Sequence, residues 1–161
     1  MSITVLDCLR LSSLRDAEVI AGHKGLSKTV SAVSVLEYAK ISALESVLFS
    51  GNELILTAFS SVADSVDEQC FAIKRLHEMG EVGLVIYYVG YFLPSVDQRL
   101  IDLADELDFP LILMPPNVYH HRYSDVITEV MSAVFENNNK DSYLVPEILE
   151  RIYKLNERQR T

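Results

Sequence analysis

Phe49-Ser50-Gly51-Asn52-Glu53-Leu54-Ile55-Leu56-Thr57-Ala58-Phe59 is the stretch that decides the fold. Its centre, from Leu54 to Thr57, is a short apolar run with a turn signal, Gly51-Asn52, before it and polar Ser60-Ser61 after it. Two similar runs follow, Leu84-Val85-Ile86-Tyr87 and Leu111-Ile112-Leu113-Met114, and each gap between runs holds a pattern of helical period. Short strands that are apolar on both sides, alternating with amphipathic helices, describe a parallel sheet with helices packed on it.

The helical gaps carry their own start and stop signals. Ser65-x-x-Glu68 has the form of a capping box, with Val66, Cys70, Ile73 and Leu76 on one face and Gly80 as the C-terminal stop. The next helix enters after Pro94 through Ser95-x-x-Gln98 and shows Val96, Leu100, Leu103 and Leu107, before Pro110 turns the chain into the third strand. These strand–helix–strand units wind to the right. A third helix, 123–135, presents Ile127, Val130, Met131 and Val134.

Upstream, Thr4-x-x-Asp7 predicts a short capped helix. Residues 17–21 and the β-branched run 29–36, joined by Gly22-His23-Lys24-Gly25, read as a hairpin that adds an antiparallel element. Ile41, Leu44, Val47 and Leu48 are spaced along one side of a further short helix. The polar run 137–141 marks a boundary, giving a domain over 1–140 and a tail helix over 141–161 with Val145, Ile148, Leu149 and Ile152 in a stripe. The expected fold is therefore α/β: a mixed sheet with a parallel βαβαβ core flanked by helices, an N-terminal hairpin and a C-terminal tail helix.

The chain of 161 residues has a formal net charge of −9, which argues against an overall electrostatic grip on nucleic acid. No apolar run approaches ~20 residues, so no membrane span is expected and the chain is placed in the cytoplasm. Cys8 and Cys70 form no C-x-x-C pair and read as free thiols. His120 and His121 are adjacent, which on a helix splays them about 100° apart and suits shared metal ligation poorly. Neither a metal nor a cofactor is expected. Phosphate-binding glycine loops, the H-E-x-x-H motif and the G-x-S-x-G motif are absent from the sequence.

In an open α/β sheet, ligands favour the crevice beyond the carboxyl ends of the strands. Those ends, 57–61, 88–91 and 115–117, gather hydroxyls, rings and Gly90. They suit either a small polar planar ligand or a simple cover for the sheet edge. Glu53, just before a buried strand, reads as a local cap or pair.

Leu11–Gly22, followed by Val33-Ser34-Val35-Leu36-Glu37, resembles the opening of the N-terminal domain of PucR-type purine catabolism regulators. The stretch 51–57 is similar to that family's glycine-glycine-glutamate-leucine-x-leucine-threonine signature, and 83–86, 91–94 and 104–111 also fit. Asn52 replaces the second glycine, and Ala58-Phe59 stands where the family often has threonine and glycine. The Phe59 ring is thus expected to fill space that smaller residues leave open.

The resemblance implies a bacterial transcription regulator whose N-terminal domain senses a small molecule, purine- or ureide-like, and whose helix-turn-helix lies at the far C-terminus. DNA would then be met only through a C-terminal domain absent from this chain. On that reading Asn52, Thr57, Ser60 and Tyr91 are the expected ligand contacts, in a homodimer. Two other readings stay open: a dimerisation or interaction module without ligand, and a small α/β enzyme domain, for which fold analogy is weak support.

Overall fold

Leu54, Ile55 and Leu56 have no exposed surface because β3 (Glu53–Thr57) runs through the middle of a sheet covered on both faces. The structure, a computed structural model, describes residues 2–45, 49–140 and 154. The other strands are β1 (Glu18–Ala21), β2 (Ala32–Val35), β4 (Gly83–Ile86) and β5 (Leu111–Leu113), in the order β1-β5-β4-β3-β2. β2 to β5 are mutually parallel, and β1 pairs antiparallel with β5 across a bulge between Val19 and Ala21.

Alternation along the strands feeds two cores. Ile55, Leu84, Ile86 and Leu111 face α2 (Ile41–Leu44), α3 (Val66–Glu78) and α4 (Gln98–Glu106), meeting Leu44, Ile73, Leu76, Leu100 and Ala104. Leu54, Leu56, Val85 and Ile112 face α1 (Val5–Cys8) and α5 (Tyr123–Lys140), meeting Val5, Cys8, Val126 and Val130. Full burial of each such side chain contributes about 1.5–3 kcal/mol, so truncating Leu54 or Ile55 to alanine costs about 2–5 kcal/mol. The strands β2 to β5 are laid side by side in chain order, and α2, α3 and α4 all pack on one face, as one repeated crossover sense requires.

The expected hairpin does not form. β1 and β2 lie on opposite edges of the sheet. Their connection instead runs along the amino-terminal rim: Gly22 and Gly25 pack against the backbone around Phe109 and Pro110, and the Ser31 amide donates to the Asn52 carbonyl at 2.8 Å. Four inter-strand spacings of about 4.8 Å are well within the reach of this segment at about 3.3 Å per residue. Gly22, at φ 72°, is required there because a Cβ would run into the Phe109 carbonyl.

Local signals fare better. Thr4 and Asp7 make the reciprocal capping box, with N···O distances of 2.9 and 3.1 Å, and the Ser65 hydroxyl accepts from the Glu68 amide at 3.2 Å. Gly80, at φ 82°, follows the last residues of α3. The cap of α4 is Asp97, whose carboxylate accepts from the Arg99 amide, rather than Ser95. Helix α5 continues through Asn137–Asn139 to Lys140. Val47, Leu48 and the tail stripe Val145, Ile148, Leu149 and Ile152 lie outside the described residues. Cys8 is a buried free thiol, pushed up to about 12 by desolvation, and therefore inert; Cys70 is half-buried and free. No helix among the described residues is long and apolar enough to cross a membrane.

Candidate functional site

The carboxyl rim of the sheet is organised by a strap, residues 36–39, that follows β2. The Leu36 amide donates to the Leu56 carbonyl at 2.9 Å, continuing the parallel ladder. The Thr57 hydroxyl donates to the Leu36 carbonyl at 2.6 Å and accepts from the Phe59 amide at 3.1 Å. At the far end of the strap the Ala39 amide donates to the Ser61 hydroxyl at 3.0 Å. Leu36 and Ala39 are buried, so Glu37 and Tyr38 between them are turned outward over the rim.

The rings that face this strap come from β4 and α5. Tyr88 follows β4 and donates its hydroxyl to the His121 carbonyl at 2.6 Å. Its ring lies 6.0 Å from that of Tyr123, at the start of α5, and 6.3 Å from that of Phe92. Between strap and rings is a cleft of about 360 Å³, with Ala58, Ser60 and Ser61 on its floor side and Glu37, Tyr38, Tyr88, Phe92 and Tyr123 around it. A second hollow of about 540 Å³ shares Glu37, Tyr38 and Tyr123 and extends to Phe49 and Ile127. Both volumes fall within the range of about 300–1,000 Å³ typical of small-molecule sites.

Among the described residues, non-glycine positions of positive φ occur at both ends of the sheet: Phe59, Tyr88 and Asn117 at this rim, Asn52 and Asp108 at the amino-terminal one. Phe59 and Tyr88, each two residues beyond the end of its strand, have φ of 52° and 58°. Bulky residues rarely occupy the left-handed region, and such outliers gather where the chain serves binding or catalysis. Gly90, at φ 102°, lets the 88–93 loop press on Asn117, whose amide donates to the Val89 carbonyl at 2.9 Å.

The electrostatics of the cleft are acidic. Burial, followed by the neighbouring Tyr88 and the Glu37 charge, pushes the Tyr123 hydroxyl up to about 12, so it remains a neutral hydrogen-bonding group. Among the described residues none that lines the two hollows is basic.

The four expected contacts are not brought together. Ser60 lines the cleft and is exposed. Tyr91, 71% exposed, lies one step away, forming with Tyr88, Phe92 and Tyr119 an apolar recess of about 250 Å³. Thr57 is buried, and its hydroxyl is fully occupied by the strap. Asn52 stands at the opposite, amino-terminal end of β3, with φ 55°. Phe59 has no exposed surface and packs in the core with Val62 and Ile73, so the ring stays out of the cleft, which Ala58 lines instead.

Sequence reasoning passed over Glu37, Tyr38 and Tyr123. The missing signal was the direction of β2: once that strand is parallel to β3, its trailing Glu37-Tyr38 must land on the carboxyl rim. The amino rim holds a different cluster. Glu53 accepts from the Ser50 amide at 2.7 Å and from the Ser34 hydroxyl, the local pairing expected of it.

The profile of the purine catabolism regulatory protein-like family, PucR, matches residues 7–134. The chain is also 24% identical, over 139 residues, to the purine catabolism regulatory protein of Bacillus subtilis strain 168. That alignment covers 86% of this chain and 25% of the relative, so the chain spans about a quarter of that protein's length.

Proposed function

Because this chain belongs to the purine catabolism regulatory protein-like family, we propose that it is the effector-sensing domain of a bacterial transcription regulator, with the carboxyl-rim cleft as its effector site. One observation carries the proposal: an aromatic cleft of ligand size lies where the parallel strands end, edged by a Tyr88 backbone held at φ 58°. Residues 1–140 form the sensor and 141–161 the link toward a DNA-binding region elsewhere in a longer cytoplasmic protein. An effector would act by binding one of two states of the regulator more tightly than the other.

A thermal-shift screen of purines, ureides and amino acids against this chain tests the reading. At least one compound should raise the melting temperature, and the double variant Tyr38→Ala, Phe92→Ala, which removes two exposed rings of the cleft, should abolish the shift. If no compound shifts the wild type, the sensing assignment is wrong.

The homodimer is a second proposal, favoured by Met131 and Phe135, which are 37% and 68% exposed one turn apart on α5. Light scattering should find a dimer in the wild type and a monomer in Phe135→Ser. A wild-type monomer would dismiss the dimer.

A further inference from the structure

Resting on the sensing reading, we propose that the rim cleft selects a planar nitrogen heterocycle presenting N–H donors, neutral or cationic, and discriminates against planar anions. The selecting group is Glu37. Glu37 lines both hollows, its charge is felt by the Tyr123 hydroxyl across the cleft, and it has no hydrogen-bond or ion-pair partner among the described residues. The strap fixes it there, because the backbone on either side is tied to β3 and Ser61 through Leu36 and Ala39.

Three features converge on that ligand class. A carboxylate only accepts hydrogen bonds, so its complement is a donor, and adjacent N–H groups on a ring can engage both oxygens. Tyr38, Tyr88, Phe92 and Tyr123 supply π-faces around the carboxylate, which favour a flat ring and favour it further if the ring is cationic. Among the described residues the lining of both hollows contains no Lys, Arg or His, and the chain as a whole carries a net charge of −9. An anion entering the cleft would meet the Glu37 charge with no basic side chain among the described lining residues to offset the repulsion.

Isothermal titration of the full chain with four probes decides the matter: adenine and 2-aminobenzimidazole as planar donors, urate and orotate as planar anions. The donors should bind at least tenfold more tightly than the anions. Glu37→Gln, at an exposed position and so without loss of melting temperature, should weaken donor binding at least tenfold and narrow the gap to the anions. Anions binding as tightly as donors, or donor affinity unchanged in Glu37→Gln, would overturn the selectivity while leaving sensing intact. Failure of all four probes to bind the wild type, while a ureide or an amino acid still raises its melting temperature, would overturn the selectivity and leave sensing intact; failure of that whole screen as well would overturn both.

Discussion

The Glu81 carboxylate accepts a hydrogen bond from the backbone amide of Glu53 at 3.1 Å, so two buried carboxylates share the amino-terminal rim of the sheet. Glu81 also accepts from the Gly51 amide at 2.7 Å, and together these bonds shape the turn that feeds β3. Burial, and then repulsion from Glu53, push the Glu81 carboxyl up to about 7, although both amide bonds favour the charged form.

A pH dependence of stability follows from that shift. Glu81 holds its proton more tightly folded than unfolded, so its contribution is complete below about 4.5 and is lost as pH rises through about 7. At about 1.4 kcal/mol per pKa unit, the loss is at most about 3.5 kcal/mol. Asp7 and Glu129 act the other way. Amide and hydroxyl bonds hold both carboxyls below their usual range, so their contribution disappears only in acid. Urea denaturation should therefore show lower stability at pH 8 than at pH 5, and Glu81→Gln should flatten that slope. A slope that persists in the variant would acquit Glu81.

The three central strands were readable because each is buried on both faces, so its apolar run is continuous: Leu54–Leu56, Leu84–Ile86 and Leu111–Leu113. The capping box at Thr4 and the hydroxyl cap at Ser65, which the Glu68 side chain does not reciprocate, were readable because they close within one turn. The partners of β1 and β2 were not readable. They depend on Gly22 meeting Phe109 and on Ser31 meeting Asn52, contacts between segments far apart in the chain that leave no periodic trace. The same gap hid which rim residues come together. Thr57 looks like a rim hydroxyl in the sequence, and only the position of Leu36 shows that its oxygen is already used.

Phe59 should invert the ordinary ranking of alanine and glycine. Its ring is fully buried while its backbone sits at φ 52°. Removing a buried phenylalanine ring costs about 3–5 kcal/mol, whereas the left-handed backbone costs a residue with a Cβ about 1–2 kcal/mol. Packing wins, so both Phe59→Ala and Phe59→Gly should be destabilised. Glycine alone escapes the backbone cost, so Phe59→Gly should be the more stable of the two by about 1 kcal/mol in urea melts. If Phe59→Ala is the more stable, the backbone at 59 is not held in the left-handed region.

Thr57 and Ser60 are three residues apart, yet replacing them should have opposite consequences. Thr57→Val keeps the shape but leaves the buried Leu36 carbonyl without its hydroxyl donor and the Phe59 amide without its acceptor. Leaving a buried polar group unpaired costs about 1–3 kcal/mol, so Thr57→Val should lower the urea midpoint clearly. Loosening the strap would also move Glu37, so effector affinity should fall in the same variant. Ser60 is exposed on the cleft edge, and Ser60→Ala should stay within about 0.5 kcal/mol of the wild type. Any effect of Ser60→Ala should therefore appear in ligand titration alone. A Thr57→Val protein with unchanged stability would show that the strap does not depend on the threonine hydroxyl, and the placement of Glu37 over the cleft would lose its cause.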